Sequence, residues 1–272
     1  MTAFNVVSQP KYGCIHVASD AAIYVDGIGV TGFNTKVVPL QHLNCVITGN
    51  GERSVIVAVA NALGLERDFD TLVENAPGTL PLFAEQLKQA SVTQIVIAGV
   101  SETRGPEFYN FRVGDRLPEK IADMRDAFEN SPGWSPNPGE IVKMSEFVNA
   151  PPAAIDDVIA ADFDGFDVDE PPDVVVWNLL KCLEMQRQLA WSTGEGHIGG
   201  FAQLTTVTSE GITQRILKRW PDIPFVGDIF PEPIDWKQWH IDNPKPGTLS
   251  RLKRSIAERK AAKRSMPLHV VQ

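Results

Sequence analysis

Four residues in the first fifty have types that could together build a nucleophilic site: Thr2, Asp20, Lys36 and Gly49. A threonine hydroxyl is a weak nucleophile unless a base stands beside it. A threonine at the N-terminus carries its own base, because a free α-amine titrates at about 7.7–8. The scheme therefore requires removal of Met1. Asp20 closes the stretch His16-Val17-Ala18-Ser19, and Lys36 opens Lys36-Val37-Val38-Pro39-Leu40. A carboxylate paired with a lysine sets the field around a nearby hydroxyl and amine. The run Ile47-Thr48-Gly49-Asn50-Gly51 leads towards a helix, so backbone N–H groups at Gly49 would hold a developing oxyanion. A plainer reading stays open beside this one: Thr2 is an ordinary second residue, and Asp20 and Lys36 are a structural ion pair between strands.

Other chemistries fit less well. A Ser/His/Asp triad on a strained serine turn needs a G-x-S-x-G segment, and none occurs. Gly194-Glu195-Gly196-His197-Ile198-Gly199 spells G-x-G-x-x-G, but the dinucleotide fingerprint follows a strand and opens a helix. Here a helix is expected before it and a strand after it, so nucleotide binding is rejected. Cys14 and His16 share a strand face, and His42 and Cys45 lie further along, but the spacing is not that of a zinc-binding pair of cysteines. Buried small side chains are the simpler account, and no cofactor or metal is expected.

The elements that must hold these residues are legible in outline. Phe4–Val7 and Cys14–Ser19 flank the turn Ser8–Gly13 and form a hairpin. Ala22–Val25, Lys36–Leu40 and Leu43–Thr48 continue as strands, which reads as a meander, with Pro39 marking an edge or an end. Val55, Val59, Ala62 and Leu63 fit a helix that stops at Gly64, and a second helix is expected over Leu80–Ala90. Gln94–Val100 and Glu107–Val113 form a hairpin through Ser101–Pro106. Residues 114–173 read as loops with one short helix near Ala153–Ala161. Asp173–Trp191 is a helix, and Gly200–Val207 with Ile212–Ile216 is a last hairpin. Beyond Trp220, repeated prolines predict an extended segment. This segregated order points to α+β architecture with antiparallel sheets and not to a doubly wound parallel sheet.

Composition narrows the partners. The 272 residues, 43% hydrophobic and 22% charged, suffice for one large domain or two small ones. We read residues 1–220 as one domain with an insertion around 114–173, followed by a proline-rich segment and basic tail over 221–272. No apolar run reaches the roughly 18 residues that span a bilayer. The start lacks a signal-like pattern, and three scattered cysteines fit a reducing cytoplasm. The net charge of −9 divides into about +6 over residues 241–272 and −15 over the rest, so nucleic acid is not expected as the main partner.

These segments, in order, resemble the proteasome β-subunit superfamily, including the bacterial proteasome-like threonine peptidases. The resemblance rests on Val17-Ala18-Ser19-Asp20, Lys36-Val37-Val38-Pro39-Leu40, Ile47-Thr48-Gly49, Val96-Ile97-Ala98-Gly99, Gly105–Tyr109, and Gly199-Gly200 with Gln203–Val207 and Glu210-Gly211-Ile212. Together they cover roughly half the chain. The resemblance implies the four-layer αββα sandwich of N-terminal nucleophile hydrolases. It also implies Thr2 as nucleophile, Asp20 and Lys36 as the tuning pair, Gly49 as oxyanion donor, a peptide or protein substrate, and a homo-oligomer, which in the family is a ring. The chain departs from the pattern before Gly-Gly: where the family has an Asp and then a Ser, it has Glu195 and Ile198. A non-catalytic subunit of the same fold, with a structural or assembly role, is therefore the second expectation. An amidase acting on a small molecule is a third.

Overall fold

The computed structural model describes residues 3–25, 27–114, 137–145, 147–150, 153–190, 196–225 and 227–247. The first two strands, β1 (Phe4–Gln9) and β2 (Cys14–Ser19), pair antiparallel around a 3-10 turn that Gly13 closes with φ of 64°. The chain then makes a separate two-stranded ribbon from β3 (Ala22–Val25) and β4 (Gly29–Phe33). β5 (Val38–Leu40) and β6 (Cys45–Asn50) begin a different sheet. The expected meander is thus divided among three sheets, because an uninterrupted run of strands carries no mark of where the chain leaves one sheet for another. Lys36 falls just before β5, and Pro39 does sit on an edge strand.

Helix α1 (Arg53–Leu63) ends, as expected, at Gly64. Helix α2 runs over Phe69–Gln86, starting well before the expected Leu80 and ending before Ala90. Its first turn is capped by the Asp68 carboxylate, which accepts from Thr71 N–H at 2.7 Å. Pro77 and Pro81 lie inside it, four residues apart and so on neighbouring turns of one face. Leu72, Ala76, Leu80 and Ala84 are buried. β7 (Thr93–Ser101) and β8 (Gly105–Val113) form the expected hairpin. The Ser101 hydroxyl shapes its turn by accepting from the N–H groups of Thr103 and Arg104.

The described residues between 137 and 173 hold more regular structure than their sequence suggests. β9 (Val142–Met144) and β10 (Phe147–Ala150) complete the outer edges of two different sheets. The short helix α3 (Ile155–Ala160) lies where expected. Positions 115–136 of the expected insertion fall outside the described residues. Helix α4 (Pro172–Arg187) is followed by the hairpin of β11 (Phe201–Thr208) and β12 (Gly211–Arg219).

The two large sheets each have five strands, in the orders β10-β1-β2-β11-β12 and β5-β6-β7-β8-β9, and every neighbouring pair is antiparallel. Strand alternation in the two large sheets gives three of the apolar clusters of the core. Phe4, Val6, Ile15 and Val17 of the first sheet meet Val46, Val96, Ala98 and Phe108 of the second. The second sheet turns Ile47, Ile95, Ile97 and Phe111 to Val55 and Val59 of α1 and Leu72 and Leu80 of α2. The first sheet turns Val7, Ala18, Ala202 and Leu204 to Val175, Leu179 and Leu183 of α4. The architecture is therefore α+β with several antiparallel sheets and, among the described residues, five helices.

The first of two compact units, Met1–Glu232, contains both sheets. The second, Pro233–Gln272, contributes helix α5 (Trp236–Asp242), which its sequence does not announce. Asp235 caps α5 by accepting from Lys237 and Gln238 N–H groups. The basic residues from Arg251 onward fall outside the described residues. No described helix is long and apolar enough to cross a membrane.

Candidate active site

Asp20 follows the last residue of β2 and its side chain is fully buried. Such a carboxylate must be fully bonded, and four donors surround it. Oδ1 accepts from Ala3 N–H at 3.0 Å and from Lys36 Nζ at 2.7 Å. Oδ2 accepts from Ala22 N–H at 3.0 Å and from Gly199 N–H at 3.1 Å. The backbone of Asp20 donates in turn to Ala3 O, extending the β1–β2 ladder by one step. Sequence reasoning identified Asp20 and Lys36 as a pair, and the fold brings them into contact.

Lys36 is nearly as buried as its partner, with 7% of its side chain exposed. Burial pushes the ammonium below the ordinary lysine value, and the Asp20 carboxylate restores only part of the difference. Arg53, at the start of α1, adds a further repulsive charge. Lys36 is therefore a cation poised to lose its proton more readily than a surface lysine. Its carbonyl accepts from the Thr48 hydroxyl at 3.4 Å, which ties it to β6.

Gly49 is the neighbour of Thr48, within β6 and opposite Ile95, and the turn towards α1 follows at Gly51. The strand expected to end at Thr48 therefore continues through Gly49 to Asn50. The lack of a side chain at Gly49 has a local reason: a Cβ there would collide with the carbonyl oxygen of Gln94. Thr2 and Glu195 fall outside the described residues. The backbone of Ala3, which follows Thr2, is fixed on both sides by Asp20. Ile198 is buried in the apolar cluster against α4 and brings no hydroxyl.

The Gly199 segment is the part sequence reasoning left without a role. Gly199 N–H bonds Asp20, and its carbonyl accepts from Ala21 N–H at 3.0 Å, so it grips the corner after β2 twice. The Gly199-Gly200 pair was visible in the sequence. The donors Ala3 and Ala22 were not, since backbone groups leave no signature in residue identity.

The weighed metal ligands do not converge. Cys14 and His16 stand 3.5 Å apart on the face of β2 opposite Ile15 and Val17. Cys45 packs with the helices on the second sheet, and His42 bonds the carbonyl of Gly64. Burial, with a smaller contribution from the Arg215 cation, lowers the His16 imidazole to about 4. All three cysteines are buried free thiols. The Gly194–Gly199 run also departs from a nucleotide loop: among the described residues, Gly199 leads into β11, a strand, and not into a helix.

Compared with known proteins, the chain matches no family model, and no curated protein is similar enough to count as a match.

Proposed function

We propose that the chain is a proteasome-like N-terminal-threonine hydrolase that cleaves amide bonds in peptides or proteins once Met1 is removed. One observation carries the reading: a buried Lys36–Asp20 ion pair whose carboxylate also holds the N–H of Ala3, the residue bonded to Thr2. In this scheme the Thr2 hydroxyl attacks the substrate carbonyl carbon, and the Thr2 α-amine takes the hydroxyl proton. The Lys36 cation stabilises the negative charge that develops on the attacking oxygen. Backbone N–H at Gly49 holds the oxyanion. The proton passes to the departing amine as the C–N bond breaks, which leaves an ester on Thr2 that water then hydrolyses.

The three apolar clusters support a four-layer αββα arrangement for this hydrolase, with α1 and α2 on one side, α4 on the other, and two sheets between. The three scattered cysteines support cytoplasmic location, and the resemblance in sequence order adds assembly into a homo-oligomer, for which light scattering is the direct measurement. A specific observation favours a second reading, a non-catalytic subunit of the same fold. Where the family pattern has a serine, Ile198 is buried among apolar side chains.

Two measurements decide between them. Intact mass of the native protein is expected to show Met1 removed, and Thr2→Ala is expected to reduce turnover of fluorogenic peptides to the buffer rate. Retained Met1, or undiminished turnover in the variant, ends the threonine mechanism.

A further inference from the structure

A second buried ion pair stands behind the Gly199 turn. Arg187, the last residue of α4, and Asp222, on the segment after β12, are 4% and 7% exposed. The two form a forked contact, Nη1 to Oδ2 at 2.7 Å and Nη2 to Oδ1 at 3.1 Å. Such bidentate pairs fix orientation as well as charge. The guanidinium also stacks over the Trp220 ring, with its central carbon 4.2 Å from the ring centre.

Both partners also grip the turn. Asp222 Oδ2 accepts from Gly200 N–H at 2.7 Å, and Arg187 Nη1 donates to Ile198 O at 3.3 Å. Between these two contacts lies Gly199, whose N–H is aimed at Asp20 Oδ2. A Cβ on Gly199 would press on Asp222 Oδ2 at 2.6 Å and on Ile229 Cδ1 at 2.5 Å, so only glycine lets the pair approach this closely. The segment carrying Asp222 is tied down further along. Phe225 N–H donates to Val30 O, Val30 N–H to Gly227 O, and Ile229 N–H to Gly196 O.

We propose that Asp222, held by Arg187, is a positioning residue for the Asp20–Lys36 pair and acts through the Ile198–Gly200 turn. The inference rests on the hydrolytic reading of that pair. Neither Arg187 nor Asp222 touches Asp20. The pair fixes the direction of Gly199 N–H, and that bond keeps the Asp20 carboxylate turned towards Lys36. Without it Oδ2 keeps only the Ala22 N–H, so the carboxylate is held less firmly against Lys36, which then faces burial and Arg53 with less compensation.

The test uses Arg187→Lys, which keeps the charge but cannot span both Asp222 and Ile198 O. A double variant, Arg187→Met with Asp222→Asn, leaves no buried charge unpaired and retains an acceptor for Gly200 N–H. Amide exchange at Gly199 is expected to rise about tenfold in both, while Val96 and Ile97 in the core keep their protection. In NMR of lysine-labelled protein, the Lys36 titration midpoint is expected to move down. With fluorogenic peptides, kcat is expected to fall about tenfold with KM unchanged. Folded variants with unaltered Gly199 exchange and Lys36 titration would overturn the proposal. Failure of both variants to fold would overturn it too, because the pair would then serve the fold and not the site. If the unmodified protein shows no turnover, the hydrolytic reading fails, while the exchange and titration measurements still decide whether the pair positions Asp20.

Discussion

Two buried carboxylates, Asp20 and Glu107, are each held by cations, and they are held in opposite ways. Glu107 accepts from Arg104 at 2.9 and 2.6 Å and from Lys143 at 2.6 Å. Those cations reach solvent, with 36% and 56% of their side chains exposed. Burial by itself would raise the Glu107 carboxyl, but the bonds from Arg104 and Lys143 outweigh it and hold the group below its ordinary value. Arg104 also bridges to Asp70 of α2, so this cluster links the β7–β8 turn to a helix. At Asp20 three of the four donors are backbone N–H groups, and the single cation is buried with it. A lysine enclosed in this way is held below its ordinary value by burial. The Asp20 arrangement encloses a charge inside the fold, and the Glu107 arrangement ties a hairpin turn to a helix and an edge strand.

The comparison breaks most readily at Asp20→Asn. Leaving Lys36 buried without its counter-charge is expected to cost about 3–5 kcal/mol at pH 7. The loss should shrink towards pH 10, where Lys36 can be neutral in the folded state. Urea unfolding at the two pH values measures both. A uniform loss at both values would mean that Lys36 is not charged in the native protein.

His16 sharpens the contrast, because it is a buried base whose neighbours are the Thr206 hydroxyl, the Cys14 thiol and the Arg215 cation. Its folded value of about 4 lies below the ordinary 6.5. Between those values the unfolded chain binds a proton that the folded chain does not, so stability rises with pH across that window and falls on acidification. His16→Gln is expected to remove on the order of 3 kcal/mol of this acid sensitivity. The measure is the difference between the unfolding free energies at pH 7 and pH 4.5 in variant and parent. Unchanged pH dependence would show that His16 is protonated in the fold.

Glu107→Gln should be the mildest. Its cations can turn to water, so the loss is expected near 1–2 kcal/mol by urea unfolding, with turnover unaffected. A cost equal to that of Asp20→Asn would erase the distinction between the two sites.

How much of this was readable depends on the range of the interaction. Hairpins such as β7–β8 and β11–β12 were legible because alternation and turn residues act over neighbouring positions. Helix α2 was only half legible: the expectation began at Leu80, whereas the helix starts at Phe69 and accommodates Pro77 and Pro81 while packing Leu72, Ala76, Leu80 and Ala84 in the core. β9 and β10, at 3 and 4 residues, are too short to show a period and exist because a sheet edge is there to pair with. Asp20 and Lys36 stood out as titratable residues at recurring strand ends. Arg187 and Asp222 did not, because a hairpin of two strands separates them in the chain.

The sequence by itself determined which residues of this protein could carry charge or a hydroxyl, and which segments alternate as strands, since both follow from side-chain chemistry and local backbone preference. Tertiary structure decided the rest. Only the packing of β1, β2 and the Gly199 turn brings three backbone N–H groups to one carboxylate. Only enclosure of Lys36 beside it moves that lysine down from its ordinary value. The physical reason is that desolvation and hydrogen-bond direction belong to the assembled interior and to no residue alone.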